Sequence, residues 1–209
     1  MNDKPLVKIC GLRDEKNILE VAELCPEMMG FIFYGGSKRF VGQDFKMPPV
    51  PASVKKIGVF VDAGMGEIFR AIDKYSLDMV QLHGTEPVSF CYEVNKRLPV
   101  IKAFGLDSSS SLHDVDEFMA SVSYFLFDTR TNEYGGSGKK FDWEVLDGYN
   151  GDIPFFLSGG IGHNDVPGIM ELMKRNKKLA AVDVNSRFEI EPGLKDVEQL
   201  KTFIHEIRS

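Results

Sequence analysis

Two side chains that could transfer protons stand at the ends of apolar segments, a thiol at Cys10 and a carboxyl group at Asp128. Cys10 lies on the same face of a predicted strand as Lys8, whose ammonium group would favour the thiolate. Asp128 follows three apolar residues, 125–127, a setting that raises a carboxyl pKa and leaves the group able to donate a proton. Both are catalytic candidates. The plainer alternatives are a buried structural cysteine and an aspartate that caps a helix or binds a loop.

A glycine pair in segment 154–164, PFFLSGGIGHN, forms a second candidate feature. An apolar strand ends there, and a helical pattern follows, so backbone N–H groups would point at an anion. Gly159 and Gly160 would permit its close approach. An ordinary strand–helix turn could carry the same pair, but the next predicted strand also ends in polar residues. Two neighbouring polar strand ends predict a shared phosphate site. The polar residues at the end of that next strand, predicted over 180–184, are Asp183, Asn185 and Ser186.

Further polar side chains lie at other predicted strand ends. Gln81 and His83 share one face of the fourth strand, where they could bind a ligand or simply support a loop. Arg39 follows the second strand and could clamp a carboxylate or be a solvated surface cation. No metal site is predicted, because the histidines are scattered and no carboxylate cluster joins them. These histidines are His83, His113, His163 and His205.

Strands of a parallel sheet must position these residues. Eight short apolar segments, most of them followed by helical patterns, indicate βαβ units. No G-x-G-x-x-G follows the first segment, which disfavours a doubly wound open sheet. We predict one α/β domain over residues 1–209, a (β/α)8 TIM barrel with its phosphate site at the loops after strands 7 and 8. The predicted strands are 6–10, 29–33, 56–60, 79–82, 100–103, 124–127, 154–157 and 180–184.

Capping and stripe patterns predict the helices. Thr85 should cap the third helix, with Pro87 in its first turn, and Asn164 should cap the seventh. Apolar stripes place Cys25 and Cys91 in the core as inert thiols. The proline-rich crossover 37–55 should form a turn or a short helix. Other predictions are a glycine-rich loop at 135–138, a short helix at 141–149, and a last helix carrying Leu194, Val197, Leu200, Ile204 and Ile207.

Composition bounds the possible functions. The chain has 209 residues, 43% hydrophobic and 27% charged, which is typical of a globular domain. Its net charge of −6 argues against nucleic-acid or anionic-membrane partners and means that an anionic ligand needs local positive groups. Three cysteines are too few for a disulfide framework, and neither a membrane span nor a signal peptide is evident. We expect a cytoplasmic protein.

Taken with their flanks, these residues resemble the phosphoribosylanthranilate isomerases, barrel enzymes of tryptophan biosynthesis. The resemblance runs along the whole chain, in order. Each motif alone is weak, but KICG, QLHG, FDT with GGSG, and SGGIG are specific together. The matching segments are VKICGL (7–12), GFIFYGGSKRFV (30–41), IGVFVD (57–62), LDMVQLHGTE (77–86), FLFDT (125–129), YGGSGKKFDW (134–143), PFFLSGGIG (154–162) and DVNSRFEIEPGLKD (183–196).

The resemblance implies a cofactor-free Amadori rearrangement of a small phosphosugar, N-(5-phosphoribosyl)anthranilate, by a monomer or homodimer. By the same resemblance, Asp128 matches the general acid, Cys10 the general base, and Arg39 the arginine that holds the anthranilate carboxylate. Gln81 and His83 match motif positions at the substrate. The implied phosphate ligands are Gly159, Gly160, Ile161, Asn185 and Ser186.

Other phosphosugar barrels and a non-catalytic module remain as alternatives. The related aldose–ketose isomerase of histidine biosynthesis places a carboxylate on strand one, where this chain has Cys10. Indole-glycerol-phosphate synthase is disfavoured by length and by the absence of its lysine and glutamate constellation. A phosphate-binding module would need the glycine pair but neither Cys10 nor Asp128. The chain also departs from the family pattern at Gly35 and Gly36, where a proline-containing stretch is usual, and at Asp62, where asparagine is more common.

Overall fold

The architecture is a closed barrel of parallel strands. The structure, a computed structural model, describes residues 4–106, 112–129 and 143–209, with backbone only at 113 and 114. Within these ranges, the barrel strands are β1 (Leu6–Cys10), β2 (Met28–Ile32), β3 (Lys55–Phe60), β4 (Met79–Leu82), β5 (Val100–Leu106), β6 (Tyr124–Thr129), β7 (Phe155–Leu157) and β8 (Leu179–Val184). They pair in chain order, and β8 pairs back to β1. The predicted (β/α)8 barrel is confirmed.

Helices and turns connect the strands on the outside. The α-helices in the described ranges are α1 (Glu15–Glu23), α2 (Met65–Tyr75), α3 (Val88–Asn95), α4 (Val166–Arg175) and α5 (Val197–Arg208). The 3₁₀-helices there are Leu112–Phe118, Trp143–Gly148, His163–Asp165 and Ser186–Phe188. Residues 37–55 form turns without a helix, as one of the predicted alternatives had it. None of the described helices combines the length and apolarity that crossing a lipid bilayer requires.

The barrel interior is apolar at one end and polar at the other. Alternate strand residues point inward, so the same face of a strand supplies an apolar side chain to the barrel interior and a polar side chain to its carboxyl end. Gln81, Asp128 and Asp183 each follow an apolar inner residue by two positions, which brings their side chains to the carboxyl ends of the strands, the barrel mouth. The inner apolar layer consists of Met28, Ile57, Met79, Ile101, Ala103, Leu126, Phe156 and Ala181.

Two predicted helix caps are wrong. Helix α3 begins after Pro87, and the Thr85 hydroxyl instead donates to Asp62 Oδ1 at 3.0 Å. A 3₁₀ turn, His163–Asp165, precedes α4, so the residue before that helix is Asp165 and not Asn164. At Thr85 a loop contact uses the hydroxyl that the local pattern would have used as a cap, and before α4 the 3₁₀ turn moves the helix start past Asn164.

Two expectations about buried side chains also need correction. Cys25 is exposed, because α1 ends at Glu23 and Cys25 adopts a positive φ of 51° beyond it. Cys91 is buried as predicted. Leu194 does not belong to the last helix: it pairs in a hairpin of β9 (Glu189–Glu191) and β10 (Leu194–Lys195), and α5 starts only at Val197. The predicted helix 141–149 is a 3₁₀-helix, Trp143–Gly148, where the structure describes it, whereas loop 135–138 lies outside the described residues.

A buried asparagine fastens the hairpin to the first helix. Asn17 is 3% exposed, and its side-chain amide donates to the Lys195 carbonyl at 2.9 Å. The Lys195 N–H in turn donates to Asn17 Oδ1 at 2.7 Å. Because Lys195 is itself buried, this pair of bonds holds a charged side chain in place near the barrel mouth.

We expect Asn17→Ala to lower the free energy of unfolding by about 2–3 kcal/mol, because both backbone groups of Lys195 lose a buried partner. Urea denaturation monitored by circular dichroism measures the loss. Asn150→Ala, at an exposed asparagine, is the matched control and should change stability by less than about 0.5 kcal/mol. Equal stabilities for the Asn17 and Asn150 variants would contradict this account of the hairpin.

Candidate active site

Cys10 lies at the mouth end of β1 beside a buried ion pair. The Lys8 Nζ atom is 3.0 Å from Asp183 Oδ1, with the two side chains 0% and 6% exposed. Burial alone would lower the pKa of Lys8, but Asp183 and Cys10 together outweigh burial and the pKa is raised, so Lys8 stays charged. The pKa of the Cys10 thiol is raised overall, chiefly by burial and also by Asp183, while the positive charges of Lys8 and Lys195 oppose the rise. These two lysines are therefore the groups that favour a thiolate at Cys10.

Gly30 makes room for this thiol. It pairs with Cys10 across β1 and β2, and a Cβ atom at Gly30 would lie 2.7 Å from Cys10 Sγ. Such a separation is far inside van der Waals contact, so only glycine fits without displacing the sulfur. Sequence reasoning missed this residue, although a glycine inside a strand is a known signal of close approach.

Asp128 lies near the end of β6 with an unusually weak acidity. Its side chain is 28% exposed. Its pKa is raised to about 6, chiefly by burial in the mouth and also by the nearby negative charge of Asp183, although the Thr129 N–H and Lys8 oppose the rise. That N–H donates to Asp128 Oδ1 at 2.8 Å. A carboxyl group with this pKa can serve as a proton donor near neutral pH.

The two catalytic candidates share one electrostatic environment. Lys8 and Asp183 act on the pKa values of both Cys10 and Asp128. Contacts of 2.7–3.6 Å run from Lys8 through Gln81 and His83 to Asp128, so the strand end that carries Cys10 and the Asp128 carboxyl group lie at the same mouth. This geometry agrees with the sequence prediction that strands one and six bring them together. Asp183 was predicted only as a polar strand end, and its role as the counter-ion of Lys8 could not be read from the chain.

Gln81 and His83 connect the two sides of the mouth. Gln81 is 1% exposed, and its Oε1 accepts from Lys8 Nζ at 2.7 Å. Gln81 Nε2 lies 2.9 Å from His83 Nδ1, and His83 Nε2 lies 3.6 Å from Asp128 Oδ2. The pKa of His83 is lowered to about 4 by its enclosed position and by the charges of Lys8 and Lys102. His83 is therefore neutral at physiological pH.

A second buried ion pair holds the loop that carries His83. Lys102 Nζ lies 2.8 Å from Glu86 Oε2, both side chains are less than 5% exposed, and the same Nζ donates to the Gly84 carbonyl at 2.7 Å. Glu86 Oε1 accepts the Asp62 N–H at 2.9 Å. A buried charge pair of this kind is rigid because moving either partner would strand the other.

Arg39 is buried and paired with a carboxylate of this chain, so the alternative of a solvated surface cation is wrong. Its Nε and Nη2 atoms donate to Glu189 at 2.6–3.0 Å, and the residue is 7% exposed. Glu189 also accepts from Lys195 Nζ at 2.7 Å. Burial works against ionisation of Glu189, but Arg39 and Lys195 prevail and lower its pKa. The guanidinium edge at Nη1 is not used by Glu189.

The candidate phosphate loops adopt the expected backbone, with one difference. Gly159 and Gly160 have φ of 98° and 66°, and a Cβ at Gly159 would collide with Thr129. Helix α4 does not start directly after these glycines, because a 3₁₀ turn, His163–Asp165, intervenes. In that turn the Gly162 N–H donates to Asp165 Oδ2 at 2.7 Å. After β8, Ser186 begins a 3₁₀ turn, and Asn185 Oδ1 accepts from Lys195 Nζ at 2.6 Å. Ile161 is buried beside the glycines.

Comparison with known proteins identifies the family. The family model described as N-(5'phosphoribosyl)anthranilate (PRA) isomerase matches residues 7–206. This chain belongs to the PRA isomerase family. An N-(5'-phosphoribosyl)anthranilate isomerase of Parabacteroides distasonis is 44% identical over 207 residues, covering 97% of this chain and 93% of that protein.

Solved PRA isomerase structures share the whole barrel. The crystal structure from Thermotoga maritima is 34% identical, with a TM-score of 0.82 and 98% of each chain covered. A PRA isomerase in complex with reduced 1-(o-carboxyphenylamino)-1-deoxyribulose 5-phosphate is 29% identical, with a TM-score of 0.78 and again 98% of each chain covered. The family expected from the sequence motifs is thus confirmed, whereas the roles of individual residues stay predictions.

The raised pKa of Asp128 gives a stability prediction. The folded protein prefers protonated Asp128, so its stabilising share is complete below the unfolded pKa of about 3.9 and is lost as the pH rises through about 6. Asp128→Asn carries no charge and should be more stable than the wild type by about 1–2 kcal/mol at pH 8, allowing for partial exposure.

Urea unfolding at pH 4 and at pH 8 measures this effect. The advantage of the Asp128→Asn variant should disappear at the lower pH, and Asp44→Asn, at an exposed aspartate, should show no such pH-dependent gain. A variant with the same relative stability at both pH values would show that the Asp128 pKa is not raised.

Proposed function

We propose that this chain catalyses the isomerisation after which its family is named, the Amadori rearrangement of N-(5'-phosphoribosyl)anthranilate to 1-(2-carboxyphenylamino)-1-deoxyribulose 5-phosphate in tryptophan biosynthesis. The observation that supports the assignment of roles is that Cys10 ends β1 and Asp128 lies near the end of β6, with contacts from Lys8 through Gln81 and His83 between them. The family membership supplies the substrate. A phosphosugar substrate fits the cytoplasmic location expected from the sequence.

Asp128 serves as the general acid in the first step. It gives its proton to the furanose oxygen while the bond from that oxygen to C1' breaks, and the nitrogen lone pair forms an iminium ion. With a pKa of about 6, a useful fraction of Asp128 is protonated at neutral pH, unlike an exposed aspartate with a pKa of about 3.9. The product of the step is a carboxylate that the Thr129 N–H already faces.

Cys10 serves as the general base in the second step. The iminium ion acidifies the C–H bond at C2', and the Cys10 thiolate removes that proton to give an enolamine, which tautomerises to the ketone. Burial works against the thiolate, whereas Lys8 and Lys195 favour it. Apart from the C1'–O bond that breaks at ring opening, the steps are proton transfers that these side chains can supply, and each positioned transfer is typically worth about 10²–10⁴ in rate.

The predicted phosphate residues and Arg39 bind the charged ends of the substrate. The two loops that hold the phosphate contribute Gly159, Gly160, Ile161, Asn185 and Ser186. Arg39 offers its Nη1 edge to the anthranilate carboxylate while Glu189 keeps the guanidinium plane fixed. These local donors offset the net charge of −6, which would otherwise repel a substrate with two anionic ends, a phosphate and a carboxylate.

Removing either proton-transfer group should greatly slow turnover but leave phosphate binding intact. We expect Cys10→Ala and Asp128→Asn each to lower kcat by about 10²–10⁴, because each leaves one proton without a carrier. The loss of anthranilate fluorescence on mixing with the phosphoribosyl substrate measures turnover, and calorimetric titration with inorganic phosphate measures binding.

Matched variants separate chemistry from a general effect of mutation. Cys25→Ala, at the exposed thiol, and Asp44→Asn should turn over at wild-type rates. If Cys10→Ala or Asp128→Asn kept near-wild-type activity, its assigned role would be wrong. A wild-type protein that binds phosphate but leaves the substrate fluorescence unchanged would instead support the non-catalytic module.

The phosphate site gives a separate prediction. Ser186→Asp adds a negative charge where the proposed phosphate sits, so KM should rise about tenfold or more while kcat changes little. Ser53→Asp, at an exposed serine just before β3 and hence at the opposite end of the barrel, is the matched control. Equal KM values for both variants would place the phosphate elsewhere.

A further inference from the structure

A row of polar contacts crosses the mouth from β1 to β6. Lys8 Nζ is 2.7 Å from Gln81 Oε1, Gln81 Nε2 is 2.9 Å from His83 Nδ1, and His83 Nε2 is 3.6 Å from Asp128 Oδ2. The first two contacts have hydrogen-bond length, and the third is somewhat longer. The row joins the ammonium beside Cys10 to the carboxyl group of Asp128.

The chemistry of each group fixes the direction of the row. An ammonium group only donates, so Gln81 must turn its oxygen towards Lys8 and its NH₂ towards His83. Nδ1 of His83 must then accept, and a neutral imidazole that accepts at Nδ1 carries its hydrogen at Nε2. That hydrogen faces Asp128. Each link follows from the one before it, starting from a lysine that is 0% exposed.

The surrounding charges keep His83 in this neutral form. Lys8 on β1 and Lys102 on β5 both disfavour protonation of the imidazole, together with its enclosed position. The negative groups across the mouth are Asp128 on β6 and Asp183 on β8, and Asp183 is bound to Lys8. Burial, Lys8 and Lys102 favour a neutral His83, and an imidazole that accepts at Nδ1 is neutral with its hydrogen on Nε2.

We propose that Gln81 and His83 are positioning residues for Asp128, with the donor row from Lys8 fixing His83 as the Nε2–H tautomer that supports the carboxylate left after proton donation. This inference rests on the proposed role of Asp128 as general acid. It replaces the expectation that Gln81 and His83 bind substrate directly. When Asp128 loses its proton, Oδ1 keeps the Thr129 N–H and Oδ2 gains the His83 N–H. This role requires the 3.6 Å contact to shorten when substrate binds, since catalytic hydrogen bonds are often long before substrate is present.

The tautomer of His83 tests the proposal without any turnover. Nitrogen-15 NMR of the whole labelled chain at pH 7, with His83 assigned by backbone correlation, should show hydrogen on Nε2 and none on Nδ1. A wild-type His83 protonated at Nδ1 would overturn the proposal. This result stands even if the protein fails to isomerise the substrate, so failure of the inference and failure of the proposed function are distinguishable.

Gln81→Glu tests the direction of the row with almost no change of shape. The carboxylate still accepts from Lys8 but cannot donate, so His83 should place a hydrogen on Nδ1. We expect kcat to fall about tenfold or more and KM to change less than threefold. Gln199→Glu, the same change near the start of α5, should alter neither. A raised KM with an unchanged kcat would show that Gln81 acts in substrate binding and would overturn the proposal. Unchanged values of both kcat and KM would overturn it as well.

Discussion

The buried ion pair of Lys8 and Asp183 is the interaction on which the barrel mouth depends. A fully buried ammonium group is costly without a partner, and here one carboxylate and one amide oxygen satisfy it. The same two charges act on Cys10 and on Asp128. A change at either charge would therefore alter the base and the acid of the proposed reaction together.

The alternation of side chains along the strands explains why these charges can be buried at all. On the inward face of these strands, an apolar residue fills the barrel interior, and the polar residue two positions later lies at the mouth. Leu126 and Asp128 show the pattern on β6, and Ala181 and Asp183 show it on β8. The apolar layer excludes water from below, which strengthens every electrostatic interaction above it.

Local sequence patterns predicted the strands, the closed barrel and the position of Cys10 and Asp128, because each depends on hydrophobic periodicity within a few residues. They did not predict Glu189 as the partner of Arg39, since the two residues are 150 positions apart and meet only in the closed fold. The hairpin that carries Lys195 was hidden because Leu194 continues the apolar stripe of α5 by chance of spacing.

The same limit explains the smaller errors. Thr85 has the composition of a helix cap, but Asp62 on the neighbouring loop provides its hydrogen-bond partner. Cys25 continues the spacing of α1, yet the helix has already ended. The closeness of Gly30 to the Cys10 sulfur depends on strand register, which one chain read alone does not give.

The closure of the barrel has a consequence for a chain that is made from its N-terminus. Lys8 leaves the ribosome 175 positions before its counter-ion Asp183. The bond between Asn17 and Lys195 spans 178 positions. Until that late segment emerges, the first strand has neither its charge partner nor its neighbour β8, so a nascent or truncated chain has no assembled catalytic mouth.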